Sequence, residues 1–560
     1  MSLDVTARRL TGSNLYSPRP GAVLQVEVDD TSADGTIARW RTIVQQLLLG
    51  VGWPDQGVVV RRWPGGAGLF VSAPVDGLLA ATEVNEQAWL RAVGRSVPPP
   101  PLHDTIARLQ VHVQHERNVA LLALAHEARA RDLAFSFDDD VAAVGSGAGV
   151  RAWPITRIPA PDAVDWSTVH NVPVALVTGS NGKTTTVRVL AAMLRAAGHT
   201  VGHTCTDGVY VNGDRVASGD WSGPAGARRV LHDPAVTAAV LETARGGMLR
   251  RGLATTRADV AVVTRVAPDH YGEYGIHDLA SLGDCKAVVA RALPPGAPLV
   301  LNADDDTLVH WSRGYAGSVI WCSLNDPSPL VHDHVHAGGS ACVLRNDVIT
   351  LLNGSTTTPV VPATQCPIAL GGRARYNVAN LLGATAAAQA MHVPVARIRE
   401  VLCTFGLSRG DNPGRLQIFT YNAAMVVVDF VHNPDGWRAL YEAVRPSAGA
   451  AGRTIVTLGQ AGDRDDSAIR ELVDAVLSGG PDLVVLKEME SYLRGRPLGQ
   501  TAQLLADALH DRGFPASAVH TAHTDLDAVR VALDHARPGD LVVLAVHNQY
   551  ADVIDLLSRA

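Results

Sequence analysis

Residues Val174 to Ala197 read VALVTGSNGKTTTVRVLAAMLRAA, a short apolar run, a glycine-containing turn with one lysine, then an amphipathic segment. Val174–Val177 suits a buried strand, whereas Val187, Leu190, Ala191, Leu194 and Ala197 recur at helical spacing with Gly198 placed to end the helix. Between them Gly179, Ser180, Asn181, Gly182, Lys183, Thr184 and Thr185 form a loop whose backbone N–H groups can turn around an anion. Lys183 adds a point charge for phosphate, Thr184 a hydroxyl for Mg²⁺, and the helix start a favourable dipole. Val177 stands where the general phosphate-loop pattern has its first glycine. A glycine-rich turn that binds nothing is the bland alternative, and the G-K-T-T-T run after a strand argues against it.

Outward from this stretch, the 560 residues allow three or four domains. A hydrophobic content of 47% with 18% charged residues is that of a globular chain. The net charge of -7, without a dense Lys/Arg block, gives no footprint for nucleic acid or an anionic membrane. A small-molecule or peptide partner is expected. Cys205, Cys285, Cys322, Cys342, Cys366 and Cys403 make neither a C-x-x-C pair nor a zinc spacing, and the start MSLDVTARRL lacks an apolar signal core. A reduced, cytosolic enzyme is the expectation.

In chain order, Leu24, Val26 and Val28 alternate like a strand, and Ile37, Trp40, Val44, Leu47 and Leu48 repeat like a helix, so the chain opens as a small α+β unit. Pro98–Pro101 marks a stiff connection, and one long helix is expected from about 105 to 133. On it His112 and His115 share a face, better read as a solvated helix face than as a metal pair. Gly145–Gly149 reads as a flexible connection to the next domain. From about 165 strands and helices alternate, with strands at Val236–Leu241, Val260–Val263 and Pro298–Leu301 each ending in a polar cluster, where parallel sheets place ligands. A second, Rossmann-like sheet is expected from Met425–Val428, Thr454–Leu458, Leu483–Leu486 and Leu541–Val546.

The clusters carry the chemistry. Glu242 follows one strand directly and is placed to hold Mg²⁺ with Thr184, unless it only faces a helix dipole. His270, in Ala267-Pro268-Asp269-His270, can bind a second ion as neutral imidazole. Lys286 by itself reads as a surface residue. Asn302, in Asn302-Ala303-Asp304-Asp305-Asp306, can read an adenine edge, although the charge run also suits a solvated turn. Gly414-Arg415 and Asp429–Pro434 add a permanent cation and a strand-end carboxylate.

Taken together, TGSNGKTTT (Thr178–Thr186), ETARGG (Glu242–Gly247), Asp269-His270, NADD (Asn302–Asp305), YNVAN (Tyr376–Asn380), Gly414-Arg415, DFVHNP (Asp429–Pro434) and GDRDD (Gly462–Asp466) resemble the ordered motifs of the Mur ligases. Asp207–Tyr210, Ser222–Ala225, ETARGG and Leu493–Arg496 look like the signatures of that family's cyanophycin synthetase branch, over residues 165 to 500. The resemblance implies an α/β chain with a small α+β N-terminal domain over 1–160, similar to that branch's own. It implies a P-loop-containing central ATP-binding domain with a parallel-rich sheet over 165–408 and a Rossmann-like C-terminal domain over 409–560. Residues 1–160 leave no room for the ATP-grasp ligase domain that this branch carries between its N-terminal and Mur-like parts.

What the resemblance implies is an ATP-dependent ligase that phosphorylates a carboxylate and couples the acyl phosphate to an amine. Lys183 and Thr184 would bind phosphate and Mg²⁺, Glu242 and His270 would hold metal, and Asn302 would contact adenine. Arg415 and Asp429 would contact the nucleotide from the third domain. Lys286 matches the lysine that family members carbamylate to bridge two metal ions. The expected partners are ATP, an amino acid and a carboxylate-bearing peptide or small acid, in a homo-oligomer. Two further classes stand beside this: a non-catalytic nucleotide-binding partner of a separate ATP-grasp protein, and a plain NTPase. A folylpolyglutamate-type ligase is the nearer variant. Arg494 and Arg496 suggest anion recognition, although exposed salt bridges would look the same.

Overall fold

A computed structural model describes residues 6–31, 33–94, 99–269, 271–445 and 452–559. By internal packing the chain forms two compact units. One comprises Met1–Val343, Thr350–Thr358 and Leu382–Ile398, and the other Leu344–Ile349, Pro359–Leu381 and Arg399–Ala560.

The first unit begins with a four-stranded antiparallel sheet in the order Arg8–Leu10, Gly21–Glu27, Gly66–Ser72, Val58–Trp63. Its middle strands are buried on both faces, and period-two alternation divides their side chains. Ala22, Leu24, Val26, Leu69 and Val71 pack with Trp40, Val44 and Leu47 of the helix Ala33–Gly50 and with Ala81, Val84 and Ala88 of Leu78–Val93. Val23 and Phe70 face the other way, into a core shared with Leu249, Leu253 and Val289. Backbone bonds seal that seam: Thr11 N–H donates to Arg251 O (2.8 Å) and Leu253 N–H to Ser13 O (2.8 Å). Gly12 is required there, since a Cβ would lie 2.1 Å from Leu253 O.

Two sequence expectations fail in the next stretch. The expected single helix is two, Leu102–Glu116 and Val119–Ala130. Asn118 breaks it: its side chain caps the second helix at Leu121 N (3.0 Å), while its own N–H reaches Asp76 (2.9 Å) and its amide reaches Ile155 O (3.0 Å). His112 pairs with Glu83 across to the neighbouring helix. Gly145–Gly149 is no flexible connection. It links the strands Val141–Val144 and Arg151–Pro154, and it is pinned by Ser146 N–H to His170 O (3.1 Å) and Ala148 N–H to Val236 O (2.7 Å). Its glycines serve close backbone approach, Gly147 at φ 54° with Val236 O 2.3 Å from where a Cβ would sit.

Beyond this lies the large sheet of eleven strands, running Asp214–Ser218, Gly208–Val211, Val201–Cys205, Ala238–Glu242, Val174–Thr178, Val260–Val263, Leu299–Asn302, Val319–Ser323, Ser340–Arg345, Val348–Asn353 and Thr356–Pro362. From Val201–Cys205 to Ser340–Arg345 every pairing is parallel. The all-apolar runs read from sequence are these doubly covered strands. The second unit holds a six-stranded sheet in the order Gln417–Tyr421, Ala424–Asp429, Leu541–Ala545, Thr454–Leu458, Leu483–Lys487, Val519–Ala522, parallel except at its first strand. Helices Pro434–Val444, Asp466–Ser478 and Gln500–Asp511 cover one face, and Asp525–His535 and Tyr550–Arg559 the other. This is the Rossmann-like arrangement expected from sequence.

In the N-terminal core, Asn85 is fully buried, accepting from Trp40 Nε1 (3.0 Å) and donating to Leu69 O (2.8 Å). Asn85→Leu strands the Trp40 indole N–H and is expected to cost about 1–3 kcal/mol, read as a lower denaturant midpoint of the whole first unit.

Candidate active site

The strand Val174–Thr178 is buried throughout, Val177 included, and ends at Gly179 with φ 148°. A Cβ on Gly179 would lie 1.9 Å from Thr264 Oγ1. That hydroxyl, at the end of the neighbouring strand, donates to Asn181 O (2.6 Å). Ser180 is tied to the same segment: its N–H donates to Arg265 O (2.7 Å) and its hydroxyl to Ala267 O (2.9 Å). Gly182, at φ 85°, turns the chain into the helix Lys183–Ala196, and no side chain caps that helix start. Its first N–H groups therefore remain suited to an anion. The Lys183 ammonium curls back over the loop to Gly179 O (3.0 Å) and Ser180 O (3.1 Å).

Glu242 ends the adjacent strand Ala238–Glu242 and is 1% exposed. One carboxylate oxygen accepts from Thr184 Oγ1 (2.8 Å) and the other from Thr206 Oγ1 (3.1 Å). It thus faces the phosphate loop rather than the start of the following helix Arg245–Arg251. Thr206 escaped the sequence reading. Its only signal was its place before Asp207–Tyr210, where Asp207 forms an ion pair with the buried Arg188 of the loop's own helix.

Lys286 closes the helix Leu279–Lys286, whose start is boxed by Asp278 and Ser281 (Ser281 N–H to Asp278, 2.7 Å). It is 3% exposed, so the surface reading fails. Burial first, and then the Lys183 charge, bring its ammonium pKa down to about 7, while Asp269 acts the other way. Those influences place it within electrostatic reach of the phosphate loop. Arg245 of ETARGG is also buried and pairs with Glu273. His270 lies outside the described residues. Among the described residues no three His, Cys, Asp or Glu side chains gather as a metal cage. The donors that do converge are the hydroxyl and carboxylate oxygens of Thr184, Thr206 and Glu242.

Asn302 ends its strand with its side-chain oxygen accepting from Asp304 N (3.0 Å). In the acidic run after it Asp304 and Asp306 are exposed, as a solvated turn would have them, and Asp305 is the exception. Asp305 is 8% exposed, caps the next helix at Thr307 and Leu308, and accepts from Val266 N (2.7 Å) beside the phosphate loop.

In the second unit, Asp429 ends its strand and accepts from Leu416 N (2.7 Å). Burial raises its pKa to about 6 against the opposing pull of Arg415. The Arg415 guanidinium lies over the Phe430 ring of DFVHNP at 4.4 Å. In YNVAN, Asn377 donates to Ile368 O (2.9 Å) and Asn380 to Asn377 (3.2 Å), both structural bonds. Arg494 and Arg496 are engaged within the fold: they pair with Asp463 and Asp466, and Arg496 also donates to Gly462 O (2.9 Å) and Arg464 O (2.6 Å). The arginines of one motif thus brace the GDRDD loop of another.

Against known proteins, the Mur ligase middle domain matches residues 177–388 and the Mur ligase glutamate ligase domain residues 414–546. Cyanophycin synthetase from Synechocystis sp. is 37% identical over 377 residues, 67% of this chain and 42% of that protein. The chain therefore spans about two-fifths of the length of that relative. The UDP-N-acetylmuramoyl-L-alanyl-D-glutamate–2,6-diaminopimelate ligase of Xanthomonas campestris is 27% identical over 395 residues, 67% of this chain and 73% of its own. Escherichia coli FolC in complex with DHPP and ADP superposes with a TM-score of 0.50 at 19% identity, covering 69% of this chain and 89% of that one, a likeness of fold.

The Lys286 environment makes a direct prediction. With ¹³C-labelled lysine side chains, one resonance titrates at about 7, far below the ordinary lysine value near ~10.4. Lys183→Gln, which removes a like charge, moves that midpoint up; an unmoved midpoint means the two amines are not coupled.

Proposed function

Because this chain belongs to the Mur ligase family, whose middle and glutamate ligase domains it carries, we propose that it is an ATP-dependent amide ligase. It activates a carboxylate as an acyl phosphate and joins it to the amine of an amino acid. The observation that carries this reading is the meeting of Lys183, Thr184 and Glu242 where adjacent parallel strands end, with Lys286 buried within their electrostatic reach.

In the first step the substrate carboxylate oxygen attacks the γ-phosphorus, the bond to the bridging oxygen breaks, and ADP leaves. In the second the amine attacks the acyl carbon, phosphate departs with the C–O bonding pair, and the nitrogen sheds a proton. Phosphoryl transfer asks the protein for position and charge neutralisation. Lys183 supplies a cation, and the uncapped helix start supplies N–H donors for phosphate oxygens. Thr184 and Glu242 offer hard oxygen donors, the set that Mg²⁺ prefers. When bound, that ion neutralises phosphate charge. A Lys286 amine with a pKa of about 7 is substantially neutral at physiological pH, the form that takes up CO₂. Its carbamate would add an oxygen donor for a second ion, with His270 as a further ligand by its place in the motif. By their places in the motifs, Asn302 would serve the adenine, and Arg415 and Asp429 are nucleotide-binding candidates.

The acceptor is an acidic amino acid, peptide or cyanophycin-like molecule and the donor an amino acid, by analogy with the relatives that the chain matches over part of their length. A non-catalytic role is disfavoured by the presence together of Lys183, Glu242, His270 and Lys286, of which Glu242 and Lys286 are buried. The likeness to FolC, being one of fold, gives folate no special standing as substrate. The six unpaired cysteines suit a reducing compartment, and among the described residues no helix is long and apolar enough to cross a membrane.

Phosphate release with Mg-ATP, measured across a matrix of amino acids and acidic peptides with mass spectrometry of the products, tests the reading. The expected result is release that needs both a carboxylate and an amine, and a product lighter than their sum by one water. Release with ATP alone would make the protein an NTPase. Lys183→Ala is expected to cut turnover at least ~100-fold, consistent with loss of a preorganised charge worth about 2.7–4 kcal/mol, and unchanged turnover would sink the site assignment. Asp429→Ala is expected to raise the KM for ATP with the unfolding midpoint unchanged.

A further inference from the structure

Lys487 is a lysine with no exposed side-chain surface, at the carboxyl end of the strand Leu483–Lys487 and outside every motif considered so far. Its ammonium donates to the Asp525 carboxylate, to Ala545 O and to His547 Nδ1 (3.0 Å). Three donors meet three acceptors, so the buried cation is fully satisfied. Asp525 is completed from its other oxygen, which accepts the backbone N–H groups of His547 (2.9 Å), Asn548 (2.6 Å) and Gln549 (3.3 Å). Burial opposes ionisation of Asp525, but Lys487 outweighs it and holds the carboxyl at about 2.

This arrangement decides a tautomer. An ammonium can only donate, so Nδ1 of His547 is an acceptor and the ring proton sits on Nε2. Nε2 lies 3.1 Å from Val431 O and donates to it. Burial and the Lys487 charge both keep the ring neutral. The carbonyl so held belongs to DFVHNP. Phe430, the residue before it, meets the His547 ring edge-on at 4.9 Å and the His432 ring at 5.6 Å, with Arg415 over its face. The next carbonyl, of His432, accepts from Gln460 (3.1 Å), and Asn433 caps the following helix at Gly436 N (2.8 Å).

We propose that Lys487, Asp525 and His547 form a positioning relay: the Lys487–Asp525 pair fixes His547 as its Nε2–H tautomer, and that N–H holds the Val431 carbonyl, setting the loop that directly follows Asp429 and against which Arg415 stacks. None of the three touches substrate. Their use in catalysis rests on the ligase reading, and their tautomer does not.

The test uses the full chain labelled with ¹⁵N-histidine, the His547 signals being assigned by their loss in His547→Gln. A long-range ¹H–¹⁵N spectrum of the wild type is expected to show His547 as a neutral Nε2–H ring from pH 6 to 9. An Nδ1–H pattern, or protonation at the ordinary histidine value near ~6.5, overturns the relay. In folded Lys487→Met the ring is expected to move to a tautomer mixture, and retention of the pure Nε2–H pattern overturns the role of the lysine. Kinetically, His547→Ala is expected to raise the KM for ATP about tenfold with kcat within threefold. His547→Gln, whose side-chain amide can still reach Val431 O, is expected to stay within threefold of wild type in both. Equal losses in the two variants overturn the positioning role. The spectrum needs no nucleotide, so a relay that holds while ATP turnover is absent overturns only the ligase reading.

Discussion

A carboxylate buried at the end of a buried strand is the constraint on which the site depends. Glu242 is removed from water nearly as completely as the alanines, valine and leucine before it in its strand, and a charge in that position is costly unless polar groups receive it. Thr184 and Thr206 supply two of those groups. Thr184 begins the helix that follows the phosphate loop and Thr206 follows the strand Val201–Cys205, so one side chain ties together three segments adjacent in the sheet. The loop's shape then follows from steric exclusion. Thr264 leaves no space for a Cβ at Gly179, and its hydroxyl holds Asn181 O in exchange.

The same economy governs Lys286 and Asp429, which carry perturbed pKa values for opposite chemical ends. Burial disfavours whichever form is charged, drawing the lysine down to about 7 and lifting the aspartate to about 6. Both are thereby brought near physiological pH, where small changes in local charge alter their protonation. Lys487 and Asp525 show the alternative solution. They are buried but paired, and the energy of desolvation is met by direct charge contact and by backbone donors.

The N-terminal sheet is integrated in a different manner. Because its central strands alternate between two buried faces, Leu24 and Leu69 belong to the core of its own helices while Val23 and Phe70 belong to the core beneath the large sheet. Arg61 reinforces the seam through Asp284 at 2.7 Å, two residues before Lys286. A change in how this sheet is seated therefore has a short physical path to the helix that carries Lys286.

Sequence by itself determined the strand–loop–helix at Val174–Ala197, the apolar strands of both sheets and the placing of Glu242, because each depends on a local pattern: a continuous apolar run, a glycine turn, a carboxylate directly after a strand. Strand ends were legible to within two residues, as with Ala238–Glu242 for the expected Val236–Leu241. Local pattern misjudged Gly145–Gly149, where glycine meant close packing rather than mobility, and the helix break at Asn118, whose cap competes with a continuing apolar period. Only the tertiary structure decided that Thr206 shares Glu242 with Thr184, that Arg494 and Arg496 brace GDRDD, and that Lys487, Asp525 and His547 meet. Those residues stand tens of positions apart, and parallel sheets bring them together only through crossover helices, so no spacing in the chain records their contact. What joins them is the rule that buried charge must find its partners, and that rule acts in space rather than along the sequence.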